Sequence, residues 1–197
     1  MVIGDLAAQA ARRYPYKKAL VFKGNTQTFA EFNARVNQMA NAFSDLGLRP
    51  GQKVAILSYN SPDMLAVLFA SAKAGMICVP VNFRMASPEM KFVLNDAEVD
   101  LFVVAKEFEQ TVSEFKSELT VPHVMALEDD FAKLVASASP DEPNVTLTPQ
   151  DIFAIFYTSG TTGGPKGVVL SDDNFLSAMI NHVIAYRLGP SDVAFHL

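Results

Sequence analysis

The chain has 197 residues, of which 50% are hydrophobic and 19% charged, and its formal net charge is −5. This composition excludes intrinsic disorder, and the length is that of one domain or a large part of one. The acidic balance argues against nucleic acid or an anionic membrane surface as the main partner. The single cysteine, Cys78, excludes an internal disulfide and a multi-cysteine zinc site. We therefore expect a cytoplasmic protein.

Helix and strand signals alternate along the first two thirds of the chain. Thr28 and Glu31 form a capping box that opens a helix, and Gly47 is its natural end. The elements predicted in chain order are a helix at 5–14 with Asp5 as N-cap, a hairpin of 18–22 and 26–29, the helix after Thr28, a strand at 53–58, a helix at 62–73, a strand at 76–81, a helix from 87 to about 95, a strand at 101–105, a helix at about 107–118 and a weaker strand at 121–127.

The last third continues the alternation after a predicted linker at 137–150, which is rich in Ser, Pro, Asp and Thr. Strands are predicted at 152–157 and 168–170, followed by a helix to about 186 that Asp172 or Asp173 caps. Strands that alternate with helices predict an α/β fold, a parallel sheet with helices on its faces. A final strand at 192–197 has no stop signal after it, so we expect a truncated chain. The apolar runs, at most about seven residues, are too short for a membrane span, which needs roughly 18–20.

The segment most indicative of chemistry is 157–167, with the sequence YTSGTTGGPKG. It combines four glycines, four Ser or Thr hydroxyls and one lysine. Glycines permit positive φ and close approach of the backbone, and successive N–H groups in such turns bind anions. The hydroxyls and Lys166 add donors and a positive charge, which suits a polyphosphate.

Two well-known phosphate motifs are excluded for this segment. The P-loop of nucleoside triphosphatases requires Gly-Lys-Ser/Thr at the start of a helix, whereas Lys166 lies between Pro165 and Gly167 before a predicted strand. The dinucleotide fingerprint requires Gly-x-Gly-x-x-Gly, and no Gly-x-Gly occurs here. A flexible hairpin loop without a ligand is the alternative interpretation.

The ordered run from Thr158 to Gly167 resembles the phosphate-binding signature of the adenylate-forming (AMP-binding) superfamily, which includes acyl-CoA synthetases, peptide-synthetase adenylation domains and firefly luciferase. Weaker resemblances extend over nearly the whole chain, and the Val-Pro-Val-Asn block at 79–82 is most like acyl-CoA synthetases. These weaker blocks are Thr28-Phe29-Ala30-Glu31-Phe32, Gly51-Gln52-Lys53-Val54-Ala55, Asn60-Ser61-Pro62, Lys73-Ala74-Gly75 and Val79-Pro80-Val81-Asn82. The chain departs from the pattern at Asp172, where the family often has histidine.

This resemblance implies ATP-dependent activation of a carboxylic acid, with a fatty acid as the expected class, to an acyl-adenylate and then a coenzyme A thioester. It implies ATP, Mg²⁺ and coenzyme A as co-substrates. It assigns the β- and γ-phosphates to the side chains of Thr158, Ser159, Thr161, Thr162 and Lys166. Gly160, Gly163 and Gly167 would allow close approach, and Pro165 would restrict the loop.

The resemblance also implies that residues 1–197 are the N-terminal portion of a larger AMP-binding domain. The adenine, ribose and magnesium sites and the catalytic lysine would lie in the remainder of the polypeptide. We therefore expect no catalytic residue in this chain, no activity from it alone, and partners limited to small molecules and that remainder. A homodimer stays open. The alternatives are a peptide-synthetase or luciferase-like member and a non-catalytic module that binds nucleotide or a partner.

The remaining candidate residues predict no further site. His123, His182 and His196 are too scattered for a metal signature. Cys78, inside a predicted buried strand, indicates an inert core thiol.

Overall fold

A computed structural model describes residues 1–158 and 164–194 of the chain. The helices are α1 (Ile3–Arg13), α2 (Phe29–Asp45), α3 (Pro62–Ala74), α4 (Ser87–Asp96), α5 (Glu109–Ser113), α6 (Asp130–Ser137) and α7 (Asp172–Tyr186). The strands are β1 (Lys18–Phe22), β2 (Asn25–Thr28), β3 (Lys53–Leu57), β4 (Ile77–Pro80), β5 (Leu101–Val104), β6 (His123–Ala126), β7 (Ile152–Thr158) and β8 (Lys166–Ser171).

Six strands form one sheet in the order β6-β5-β3-β4-β7-β8, beside the small β1–β2 hairpin. The first five strands of the sheet are mutually parallel. This confirms the predicted α/β fold with helices flanking the sheet. The sheet is mostly parallel as predicted, with one antiparallel strand at its edge, because β8 runs antiparallel to β7. Only seven residues separate the two strands, too few for the crossover that a parallel neighbour needs.

Sequence pattern and burial agree in the central strands, where apolar residues are covered on both faces. Val54, Ile56, Leu101 and Val103 are fully buried. The connection from β3 to β4 runs toward the β8 edge of the sheet, whereas the connection from β4 to β5 runs toward the β6 edge. With right-handed crossovers, α3 and α4 therefore lie on opposite faces of the sheet.

Several predicted helix ends are confirmed by their caps. Thr28 Oγ1 accepts a hydrogen bond from the N–H of Glu31, and the Glu31 carboxylate accepts one from the N–H of Thr28. Ser61 Oγ accepts one from the N–H of Met64, and Gly75 ends α3 at φ 71°. At this φ a residue with a side chain would be strained.

Other predicted boundaries are wrong. Asp5 is not the N-cap of α1, because the helix begins at Ile3 and the Asp5 carboxylate reaches back to the N–H of Val2. Ser171, not Asp172 or Asp173, caps α7, since the buried Asp172 instead accepts a hydrogen bond from the N–H of Ile3. Short 3₁₀ turns on both sides of α5 break the helix predicted at 107–118. Residues 192–194 do not form the start of the strand predicted at 192–197, and residues 195–197 lie outside the described part.

The segment predicted as a linker is held against the helices. Residues 138–151 contain no helix or strand and lead the chain from α6 to β7. Three asparagines of α2, spaced one turn apart, bind it by their side-chain amides. Asn33 donates to Glu142, Asn37 to the carbonyl of Pro140, and Asn41 to the carbonyls of Ser139 and Asp141. These contacts hold the start of the segment, residues 139–142, against α2.

Candidate functional site

The β7–β8 hairpin places two of the predicted phosphate-binding residues at the carboxyl edge of the parallel strands. Cys78 of β4 pairs with Ala154 of β7, so both strands end at the same edge. Thr158 and Lys166 are paired across the hairpin, and both are exposed. In open α/β sheets, ligands bind outside the carboxyl ends of the strands near the point where the strand order reverses. Here the connections that leave β3 and β5 run in opposite directions, so the order reverses between these two strands, and β3 and β4 separate that point from β7.

The other predicted ligands of the phosphates, Ser159, Gly160, Thr161, Thr162 and Gly163, lie outside the described residues. Beyond them, Gly164 has φ 113°, in the region that favours glycine. Among the described residues, its chain neighbours aside, no atom lies within 4 Å of where its Cβ would be. Pro165 then leads into Lys166, the first residue of β8.

The base of the hairpin is fixed by a contact that the sequence did not predict. Tyr157 and Gly167 are paired directly across the two strands. A Cβ on Gly167 would lie 3.1 Å from Tyr157 Cζ and 3.0 Å from Ile155 Cγ2. The Tyr157 hydroxyl donates a hydrogen bond of 2.6 Å to the carboxylate of Asp96, the last residue of α4. The close approach to phosphate predicted for Gly167 stays a prediction, and packing of Tyr157 is a separate reason for glycine there.

The environment of the Tyr157 phenol keeps it protonated. Partial burial, together with the hydrogen bond to Asp96 and the negative charge of that carboxylate, raises the pKa of Tyr157 well above its ordinary value of 10.0. A raised pKa means that the neutral form, which donates the hydrogen bond, persists throughout the physiological range.

An aromatic cluster holds the loops that follow β3, β4 and β5 at the same edge. The Tyr59 ring lies 4.9 Å from the rings of both Phe83 and Phe108, measured between centroids. Beside it, the β1–β2 hairpin and residues 58–63, which lead from the end of β3 into the first turn of α3, line an open cleft of about 600 Å³, with Glu107 and Glu128 at its wall. No motif in the sequence indicated this cleft, because its lining comes from separate short segments.

Nothing in the described part fits a resident metal. Residues 1–158 and 164–194 contain no group of three or more His, Cys, Asp or Glu side chains placed to hold a metal ion. The implied Mg²⁺ therefore has no carboxylate cluster to receive it in this portion, and we derive no step through it. None of the described helices is both long and apolar enough to cross a membrane.

Comparison with known proteins identifies the family. Residues 7–197 match the AMP-binding enzyme family. Feruloyl-CoA synthase of Amycolatopsis sp is 31% identical over 194 residues, covering 98% of this chain and 38% of that protein. Long-chain-fatty-acid–CoA ligase FadD13 of Mycobacterium tuberculosis is 33% identical over 181 residues, covering 89% and 36%.

A solved structure gives the same result for the fold. The ATP-bound MatB of Rhodopseudomonas palustris superimposes with a TM-score of 0.85 at 25% identity, over 98% of this chain and 39% of that one. The chain thus spans between 36% and 39% of the length of these three proteins. The match of the sequence over nearly its whole length and the agreement of the fold show that this chain belongs to the AMP-binding, adenylate-forming family, among its acyl-CoA-synthetase-like members.

Proposed function

We propose that the protein carrying this chain joins a carboxylic acid to ATP and then to coenzyme A, in the cytoplasm, with a fatty acid as the substrate class. In the first step a carboxylate oxygen attacks the α-phosphorus, and the bond to the leaving pyrophosphate breaks. In the second step the coenzyme A thiol attacks the acyl carbon, and AMP leaves. The observation that carries this proposal is the pairing of Thr158 with Lys166 at the carboxyl edge of the sheet, at the two ends of the signature.

The role proposed for this chain is to hold the phosphates. Negative charge accumulates on the leaving pyrophosphate, and preorganised donors near that charge lower the barrier. Lys166 would supply a compact positive charge and Thr158 a hydroxyl, joined by the hydroxyls of Ser159, Thr161 and Thr162. Gly160 and Gly163 would let the backbone approach the phosphates. Mg²⁺ would accompany the ATP.

The names of the relatives support the substrate classes. Two are CoA ligases or synthases that act on aromatic or long-chain acids, and one structure contains ATP. Because these proteins extend well beyond the aligned part, the acid and the CoA contacts are assigned to no residue here.

The test is ATP–pyrophosphate exchange by the natural protein over a panel of fatty, aromatic and amino acids. We expect exchange that depends on a fatty acid, and CoA thioester when CoA is added. Lys166→Ala should reduce kcat/KM for ATP by roughly 10- to 100-fold, the worth of one charge-assisted hydrogen bond. The matched control is Lys53→Ala. Lys53 is the first residue of β3, so it lies at the amino ends of the parallel strands, away from the hairpin loop, where it forms an ion pair with Glu98.

Three outcomes would contradict the proposal in different ways. Exchange with amino acids alone would identify a peptide-synthetase-like member. Absence of exchange with every acid would favour a non-catalytic nucleotide-binding or partner-binding module. An unchanged response to ATP in Lys166→Ala would remove the phosphate role of the hairpin.

A further inference from the structure

The contact between α4 and the β7–β8 hairpin joins two parts of the chain 61 residues apart. On one side is Asp96, at the carboxyl end of α4. On the other is Tyr157, adjacent in β7 to Thr158 and paired with Gly167, the residue next to Lys166. The contact therefore acts at the pair Tyr157–Gly167, one position from both of the predicted phosphate ligands that the structure describes, Thr158 and Lys166.

The stability of α4 does not explain Asp96. A carboxylate in the last turn of a helix faces the negative end of the helix dipole, which is unfavourable. Asp96 is also exposed, so it contributes no apolar burial. The favourable interaction that it makes is with the hairpin, as acceptor of the Tyr157 hydrogen bond at 2.6 Å.

The ring of Tyr157 connects Asp96 with both strands of the hairpin. Its Cζ and hydroxyl lie 3.1 and 3.3 Å from where a Cβ on Gly167 would be, so the outer end of the ring lies against β8 before its hydroxyl reaches Asp96. Both strands of the hairpin are thus held relative to α4 by one side chain. Because β8 has no strand on its outer side among the described residues, the strand ladder alone restrains it only from β7.

We propose that Asp96 is a positioning residue for the ATP site, which it serves by holding the Tyr157 hydroxyl and through it the Thr158–Lys166 pair; this inference rests on the proposed function. Asp96 touches no reacting atom in this scheme. Its effect should appear in the use of ATP and not in the use of the carboxylic acid, since Thr158 and Lys166 are assigned only to the phosphates.

The test compares Tyr157→Phe, Asp96→Ala and the double variant in the exchange assay, with KM measured separately for ATP and for the acid. We expect each single variant to raise KM for ATP by roughly 3- to 10-fold, the worth of one ordinary hydrogen bond, because the contact with Asp96 is exposed and acts only through the position of the hairpin. KM for the acid should stay within about twofold of wild type. KM for ATP in the double variant should not exceed that of the more impaired single variant, because both substitutions remove the same contact. Asp96→Asn keeps an acceptor oxygen and should recover most of the loss.

Lys91→Ala is the matched control, because it removes an exposed ion pair between α4 and Glu118 without touching the hairpin. Additive effects in the double variant, or equal rises in both KM values, would overturn the positioning role. If Lys166→Ala impairs ATP use and Tyr157→Phe does not, this inference fails while the proposed function stands. If wild type shows no exchange, both fail. If Tyr157→Phe does not fold, Asp96→Ala, a substitution at an exposed site, still allows KM for ATP to be compared with KM for the acid.

Discussion

Gly167 and Tyr157 face each other across the β7–β8 hairpin, and a Cβ on Gly167 would lie 3.1 Å from Cζ of the tyrosine ring, closer than an ordinary contact. The last glycine of the Pro-Lys-Gly run is therefore constrained by packing within the hairpin, with or without a nucleotide. A short motif can contain residues that hold the fold of the site beside residues that bind the ligand.

Gly167→Ala should lower the free energy of unfolding by about 1–3 kcal/mol, the usual cost of adding a methyl group to a filled space. The new Cβ would lie 3.0–3.1 Å from Ile155 and Tyr157, so these side chains or the paired strands must shift by a few tenths of an ångström. Guanidinium denaturation measures the effect. Gly189→Ala is the control, since the nearest atom to its Cβ would be 3.8 Å away. Equal stability of the two variants would show that the ring yields freely.

The sequence predicted what depends on local pattern and missed what depends on contacts between distant elements. Apolar runs and caps gave the strands and most helices, because burial on both faces and unsatisfied helix ends leave a signature in neighbouring residues. The contact of Asp96 with Tyr157 left none, since the two residues belong to elements 61 positions apart. The same holds for the asparagines of α2, whose partners lie in the segment 138–151. β8 was predicted as a strand without a stated direction, although the short loop before it already favours antiparallel pairing, since a parallel neighbour needs a crossover of a dozen or more residues.

Cys78 should not react with a thiol reagent in the folded protein. It is fully buried in β4, and burial raises the pKa of its thiol to about 12, opposed only by a hydrogen bond with Ser71. The reactive species is the thiolate, which is scarce far below the pKa. At pH 8 we expect no labelling by a disulfide reagent without denaturant and one thiol per chain in guanidinium. Stoichiometric labelling of the native protein would show that β4 opens readily.

Lys73 should stabilise the fold by binding the segment 138–151 through Glu142. Its side chain is 6% exposed, and its ammonium donates to Asn33, Asn37 and Glu142 at 2.6–2.8 Å. Lys73→Met keeps much of the side-chain volume but removes the ammonium that donates to Oδ1, the side-chain amide oxygen of the buried Asn37. We expect a loss of about 1–3 kcal/mol in the free energy of unfolding. Lys91→Met, in an exposed pair, should change it by less than about 1 kcal/mol. Similar losses in both variants would contradict a special role for the buried lysine.

Glu142, the acidic partner of Lys73, should make stability depend on pH. Partial burial opposes its ionisation, but hydrogen bonds from Lys73, Asn33 and Asn37 and the charge of Lys73 lower its pKa below the ordinary value near 4.5. The folded state therefore keeps the carboxylate ionised where the unfolded chain is already protonated. This contribution is complete above about pH 4.5 and is lost as the pH falls through the folded pKa.

The measurement is the difference in Tm between wild type and Glu142→Gln across pH 7 to 3. We expect the variant to have the lower Tm at pH 7. The carboxylate uses two acceptor oxygens, one for Asn33 and one for Lys73, whereas the amide has only one acceptor oxygen and no negative charge to pair with the Lys73 ammonium. The difference should shrink as the pH falls below about 4.5. In a Lys73→Met background the same comparison should give a smaller difference at pH 7, since the main source of the pKa shift is gone. A difference that stays constant with pH would show that the Glu142 carboxylate contributes nothing through its charge.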